Sequence, residues 1–159
     1  MKVRETGVKL AIAGVVVLFG LGLLYLLMPA TPTQTVVVSA SPHVIARGRM
    51  LYQARCAECH GRNGEGQPGW DTRSTQSNPL APPHDGSGHT WQHSNAALFD
   101  MIKTGESLVG CVTLNSDAMP TFGNDLSDEE IAAILAYIES TWPDDIRKQH
   151  ADVNRIYGG

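Results

Sequence analysis

Cys56-Ala57-Glu58-Cys59-His60 is the stretch that decides the fold of this chain. Its pattern is C-x-x-C-H, which is typical of covalent c-type haem attachment. Two thiols three positions apart lie on one helical turn, so each can bond one vinyl side arm of a haem. The adjacent histidine can then offer its imidazole to the iron as an axial ligand. The motif therefore predicts one covalently attached haem c, held by Cys56 and Cys59, with His60 on the iron.

Two other kinds of site also contain two cysteines at this spacing. A dithiol redox site is the first, and half of a zinc site is the second. The histidine directly after the second cysteine weakens the dithiol interpretation. A zinc site needs two more ligands close by, and no second C-x-x-C exists in the chain. Haem attachment is the favoured interpretation.

Composition predicts one small globular domain and one apolar segment. The chain has 159 residues, a formal charge of −4 and 42% hydrophobic residues, within the ordinary range. Of its three cysteines, the motif takes two, which leaves Cys111 with no internal disulfide partner. No phosphate-binding glycine loop, nucleophile elbow or basic patch is visible, so we expect neither nucleic acid nor a small-molecule substrate as a partner.

Residues 10–28 form an uncharged apolar run, preceded by Lys2, Arg4 and Lys9 in the basic segment 1–9. As a helix the run would be roughly 28 Å long, close to the thickness of the bilayer hydrocarbon core. Positive charges before such a run place the N-terminus in the cytoplasm. The sequence thus predicts a single-pass signal-anchor in the bacterial cell membrane, with the haem domain on the periplasmic side.

A cleavable signal peptide is the alternative for the same run. Such peptides have a shorter apolar region and a small-residue cleavage site. Val38-Ser39-Ala40 could serve as that site, but it lies well past residue 28. Both interpretations put the haem domain in the same compartment.

Beyond the apolar run, three further parts are predicted. Residues 29–42 contain Pro29, Pro32 and Pro42 and are expected to form a flexible tether. Residues 43–142 form the haem domain, and residues 143–159 a polar C-terminal tail with another helical turn or two.

Three helices are predicted in the haem domain. The first covers 43–55, with Ser41 as its N-cap and Pro42 at its first position. It places Gly48 and Tyr52 on one face. The second covers 94–105, with Ser94 as its N-cap. The third covers 127–142 and has a strong apolar stripe.

The start of the third helix and the long loop between the first two helices each carry a further signal. Ser127 and Glu130 have the spacing of a capping box at the start of the third helix. Residues 61–92 are polar and rich in glycine and proline. A loop this long needs a reason in a small domain, and wrapping a haem supplies one. Trp70 and Trp91 are expected to pack on the haem or in the core.

Met119 is the favoured second axial ligand. It lies in a loop and is followed by Pro120, which stiffens the chain beside it. Met50 lies on the helix that carries the motif, so it reaches the opposite haem face with difficulty. Met101 lies on an apolar stripe, where core packing is the default. A histidine ligand or an open position remains an alternative.

The order of these parts resembles class I cytochrome c over residues 44–142. The specific pieces are Cys56-Ala57-Glu58-Cys59-His60-Gly61 and the Met119-Pro120-x-Phe122 loop before the last helix. The resemblance implies an all-α fold in which the first and last helices cross, with Gly48 and Tyr52 meeting the last helix near Tyr137. It also implies that Cys56 and Cys59 carry the thioethers, and that His60 and Met119 ligate the iron.

The resemblance implies an electron carrier rather than an enzyme. The expected partners are membrane complexes: a quinol-oxidising complex, and a terminal oxidase or photosynthetic reaction centre. A fixed haem subunit of one such complex is equally compatible with the anchor. A haem sensor or enzyme with an open sixth position is a second hypothesis, and a structural subunit in which haem only supports folding is a third.

The remaining chemistry-bearing residues have plainer interpretations. Cys111 is expected to be a buried small residue, with a reactive thiol or an intermolecular bridge as the alternative. His84, His89 and His93 are expected to bond haem propionates or loop backbone, because no thiolate or carboxylate pattern completes a second metal site.

Overall fold

The computed structural model of the chain describes residues 17–18, 20–24, 38, 41–71, 80–105 and 119–157. Within these ranges every regular element is helical and no strand occurs, which confirms the all-α prediction for the part of the chain described. The helices are α1 (Pro42–Arg55), α2 (Ala57–His60), α3 (Asn95–Thr104), α4 (Asp128–Ser140) and α5 (Asp144–Tyr157), with a short 3-10 helix at Thr90–Gln92.

Backbone contacts divide the chain into two units, Met1–Thr33 and Gln34–Gly159. In the first unit, residues 17–18 and 20–24 are helical and exposed. The predicted anchor 10–28 and tether 29–42 lie largely outside the described residues. No helix among the residues described has both the length and the apolar character needed to cross a membrane.

Helix α1 begins and ends where local chemistry predicts. The Ser41 hydroxyl accepts a hydrogen bond from the Val44 N–H at 3.4 Å, and Pro42 occupies the first helical position. At the other end, Cys56 adopts φ −113° and ψ −34°, which separates α1 from the single turn of α2. The predicted first helix is confirmed.

Helices α1 and α4 cross at Gly48. A Cβ at Gly48 would lie 2.5 Å from the Ala133 carbonyl carbon and 3.0 Å from the Tyr137 Cβ. The two backbones therefore approach more closely than any side chain would allow. One turn further on, the rings of Tyr52 and Tyr137 meet at 5.2 Å between centroids. The contact of Gly48 and Tyr52 with α4 near Tyr137, which the family resemblance implied, is confirmed.

The core lies along the inner face of α4. It is a cluster of seven buried side chains, Tyr52, Phe122, Leu126, Ile131, Ile134, Ile138 and Trp142. We call this set the core cluster. Helix α4 is shorter than predicted because it ends at Ser140, yet Trp142 is still 2% exposed. Pro143 follows, and α5 begins directly after it.

The capping box at the start of α4 is present in both directions. The Glu130 N–H donates to the Ser127 hydroxyl at 3.3 Å, and the Ser127 N–H donates to the Glu130 carboxylate at 3.1 Å. The Ser127 N–H and Arg47, at 2.6 Å from the carboxylate, lower the pKa of Glu130. This helix start is therefore tied to α1 as well as to its own first turn.

Replacing Ser127 by alanine is expected to destabilise the domain by about 1 kcal/mol, because an N–H of the first turn loses its acceptor. The free energy of unfolding from urea titration measures the change. Ser140→Ala makes the same substitution at the other end of α4 and is expected to change stability by less than about 0.5 kcal/mol. Equal losses for the two variants would contradict the capping role.

Helix α5 is the main departure from prediction. The sequence predicts one or two helical turns in the tail, whereas the structure has a 14-residue helix, Asp144–Tyr157. Its inner face carries His150, which is 2% exposed, and Ile146, which packs against the core cluster. Because the buried residue, His150, is polar, the inner face of α5 cannot be recognised in the sequence from a stripe of apolar residues.

Candidate haem-binding site

The two cysteines lie on one turn, where α1 gives way to α2. The Cys56 N–H still bonds the Tyr52 carbonyl at 2.8 Å, and the His60 N–H bonds the Cys56 carbonyl at 2.9 Å. Cys56 is partly buried against the core cluster, whereas Cys59 is exposed. Two arms of one flat ligand could therefore be held with one edge inside the protein and the other at its surface.

The electrostatics of Cys56 argue against a dithiol redox centre. Burial and, to a smaller extent, the neighbouring Cys59 together raise the pKa of the Cys56 thiol to about 11. Reactive cysteines in C-x-x-C redox sites have a lowered thiol pKa, because the thiolate is the nucleophile. The protein environment here favours the opposite protonation state.

His60 is buried and held in one orientation. It is 7% exposed, and its Nδ1 lies 2.9 Å from the Pro82 carbonyl oxygen. A carbonyl only accepts, so Nδ1 carries the proton and Nε2 keeps its lone pair for a metal. Burial lowers the pKa of His60, while the Pro82 bond partly opposes this shift. The neutral imidazole is the form that ligates iron.

Pro82 is brought to His60 by pairing between two loop segments. Gln67 bonds Ala81 twice, through the Gln67 N–H to the Ala81 carbonyl and through the Ala81 N–H to the Gln67 side chain, each at 2.9 Å. The Gly64 carbonyl accepts from the His84 N–H at 2.7 Å. The loop after the motif thus folds back on itself and presents its Pro82 carbonyl to the motif histidine.

His84 lies directly against His60, a contact that the sequence analysis did not predict. The two rings are stacked, with centroids 4.0 Å apart and an interplanar angle of 21°. Burial lowers the pKa of His84 well below its usual value, and His60 and His89 add to the shift. In the sequence, His84 is visible only as a histidine two residues after Pro82, and no spacing rule connects it to the C-x-x-C-H motif.

Met119 lies at the edge of the core cluster that Cys56 also contacts. It is partly buried, and the segment after it is fastened to the end of α3. The Phe122 N–H bonds the Ile102 carbonyl at 2.9 Å, and the Gly123 N–H bonds the Lys103 carbonyl at 3.0 Å. Residues 106–118, which include Cys111, lie outside the described residues. The role of Met119 on the iron stays a prediction.

The other residues of the long loop make contacts within the protein. Trp91 packs against the core cluster, and Trp70 stacks on His89 at 5.6 Å between centroids. The rings of His89 and His93 meet edge to face at 5.5 Å. No group of three or more metal-binding side chains occurs among the residues that the structure describes.

Cys56, Cys59 and His60 fit haem c. Two thiols on one turn are the attachment chemistry, and a buried imidazole with a fixed tautomer is the ligand chemistry. Zinc is a poorer fit, because it needs four ligands, and the described residues offer no such group around the cysteines. An all-α fold built around this site is that of a c-type cytochrome domain.

The family model for "Cytochrome C oxidase, cbb3-type, subunit III" matches residues 43–138, more than half of the chain. The chain belongs to this family of c-type cytochromes, which bind covalently attached haem c. No curated protein and no solved structure matches the chain. Helix α5 lies beyond the matched residues.

Proposed function

We propose that this chain is a membrane-anchored monohaem cytochrome that carries single electrons between membrane respiratory or photosynthetic complexes. One observation carries the proposal: His60, next to two attachment cysteines, donates from Nδ1 to Pro82 and leaves Nε2 for iron. Family membership supports an electron-transfer role with respiratory complexes. The protein is proposed to act on no small-molecule substrate of its own.

In this proposal Cys56 and Cys59 form the thioethers, and His60 and Met119 are the axial ligands. When bound, haem c supplies an iron centre that takes up and releases one electron. Cys59 is exposed, so a group bonded to it has an edge near solvent, where a partner can exchange that electron. Methionine as second ligand closes the iron to substrates and raises its reduction potential.

The proposed location is the bacterial cell membrane, with the haem domain on the periplasmic side. This part of the proposal rests on residues 10–28 and on the basic residues before them. Alkaline extraction of membranes tests it, since an anchored protein stays in the pellet. Release into the supernatant, or an N-terminus beginning near residue 41, would support the cleaved alternative.

A fixed subunit of an oxidase complex is the second candidate, and the description of the matched family favours it. The two candidates differ in how tightly the chain is held by its partner. Purification in mild detergent separates them: a fixed subunit stays with the complex at a constant ratio, whereas a shuttle dissociates into its own fraction.

Replacing Met119 by alanine is expected to open the sixth position. The oxidised wild type should show the weak far-red band of sulfur-to-iron charge transfer and should not bind carbon monoxide. The variant should lose the band, bind carbon monoxide and have a lower reduction potential, because the thioether ligand is gone. Optical spectra with and without carbon monoxide check each point.

Met101→Ala is the matched control, since Met101 is a partly buried methionine on α3. It should keep the far-red band and stay closed to carbon monoxide. A wild type that lacks the band and binds carbon monoxide directly would favour a sensor or enzyme with an open iron. Loss of the band in Met101→Ala alone would transfer the ligand role to Met101.

A further inference from the structure

The flat contact between His84 and His60 is not used by anything proposed so far. The centroid distance of 4.0 Å and the angle of 21° make it a face-to-face stack. Haem attachment needs the two cysteines and His60 itself, and none of these requires an aromatic ring at position 84. The stack therefore calls for a role of its own.

The ring of His84 is held in place by its own hydrogen bond. Its Nδ1 lies 2.9 Å from the Thr90 hydroxyl oxygen. That hydroxyl donates its proton to the Pro83 carbonyl at 3.2 Å, so the oxygen accepts from His84 Nδ1. Thr90 is buried. Both the tautomer and the plane of the His84 ring are thereby set by a buried neighbour.

Two further contacts brace the same residue. The Trp142 indole N–H donates to the His84 carbonyl at 2.7 Å. The ring of Tyr52 meets the His84 ring edge-on, with centroids 6.3 Å apart and an angle of 71°. These contacts come from Trp142, two residues past the end of α4, and from α1, so the position of His84 is tied to the packing of these two helices.

The tripeptide Pro82-Pro83-His84 thus constrains the His60 ring at two places. The Pro82 carbonyl holds one ring nitrogen at 2.9 Å, and His84 covers one ring face. The bond at Nδ1 restrains rotation of the His60 ring about its Cβ–Cγ bond, but a hydrogen bond stays favourable over a range of angles. A flat neighbour on the ring face narrows this range, because turning would push the two rings together.

We propose that His84 is a positioning residue that fixes the ring plane of His60 and so tunes the reduction potential of the haem iron. The inference rests on the proposed function, in which His60 is the axial ligand. The plane of an axial imidazole determines how its π orbital overlaps the iron d orbitals, and partners of a ligand tune the metal in this way. Position 84 thereby acts on the iron through His60.

The test compares His84→Leu with His84→Phe. Leucine fills the site without a flat face, and phenylalanine restores the flat ring without its nitrogens. His84→Leu is expected to shift the g values of the oxidised low-spin EPR spectrum and the midpoint potential. His84→Phe should return both only part of the way, because its flat ring has lost the bond to Thr90. His43→Leu, a change at an exposed histidine on α1, should leave both unchanged.

A His84→Leu protein with the g values and potential of the His43→Leu control would overturn the inference, even if its melting temperature had fallen. If His84→Leu takes up no haem, a comparison of Thr90→Val with Thr90→Ser tests the inference instead. Valine removes the anchor of the ring and should shift the EPR spectrum, while serine keeps the hydroxyl and should not. Equal spectra for that pair would overturn the inference.

Wild-type protein separates this inference from the proposed function. A reduced, diamagnetic sample should give nuclear Overhauser contacts between the ring protons of His60 and His84. Absence of these contacts in a protein with an intact low-spin histidine-ligated spectrum overturns the stack alone. A wild type without that spectrum overturns the proposed ligation, and the inference with it.

Discussion

Cys56→Ala,Cys59→Ala protein is expected to carry no covalently bound haem at all. The two thiols are the groups on the turn that can bond the vinyl arms, and His60 alone supplies only a reversible metal bond. Haem staining after denaturing electrophoresis and the pyridine haemochrome spectrum measure the loss. The haem domain should also become unstable, because a large apolar body is missing from a small core.

The chain contains its own control in the third cysteine. Cys111→Ala should keep full covalent haem, since Cys111 lies outside the motif. Each single variant, Cys56→Ala or Cys59→Ala, should keep one thioether and a shifted haemochrome band at reduced yield. Covalent haem in the double variant would refute the attachment sites, as would its complete loss in Cys111→Ala.

Gly48→Ala is expected to destabilise the haem domain by more than about 3 kcal/mol, which is a large share of the stability of a small domain. The added methyl would lie 2.5 Å from the Ala133 carbonyl carbon, and a backbone cannot yield as a flexible side chain does. Alanine is the better helix former by about 1 kcal/mol, but this gain does not offset separation of the two helices. Urea unfolding followed by far-ultraviolet circular dichroism measures the difference.

Ala46→Gly is the reciprocal control on the exposed face of α1. Removing a methyl there should cost only about 1 kcal/mol, through helix propensity alone. Position 46 thus prefers alanine and position 48 prefers glycine. A Gly48→Ala protein as stable as the wild type would mean that α1 and α4 do not approach as closely as described.

Local signals in the sequence predicted the helices well. Ser41, Ser94 and Ser127 each accept a hydrogen bond from an N–H of the first turn, as their positions predicted. Gly105 ends α3 in the left-handed conformation. Such signals are readable because each depends on residues within one or two turns.

Contacts between distant segments were not predictable in the same way. His150 bonds the Trp91 carbonyl at 3.0 Å and the Asn95 side chain at 2.9 Å, and this polar anchoring hides α5 from an apolar pattern. The Pro82 carbonyl reaches His60 only because two loop segments pair. For the site, the motif predicts Cys56, Cys59 and His60. The neighbours that orient His60, which are Pro82 and His84, lie in a later loop segment, and their positions depend on how that loop folds back.

The crossing of α1 and α4 has a consequence for the order in which the chain assembles. The ion pair across it joins Arg47 and Glu130, which are 83 positions apart. Such distant contacts raise the contact order, so this all-helical domain should refold more slowly than a helical hairpin bundle of similar size. Thioethers at Cys56 and Cys59 would span a single turn and would not shorten the loop that must close. Unlike a disulfide between distant segments, they would remove little entropy from the unfolded chain.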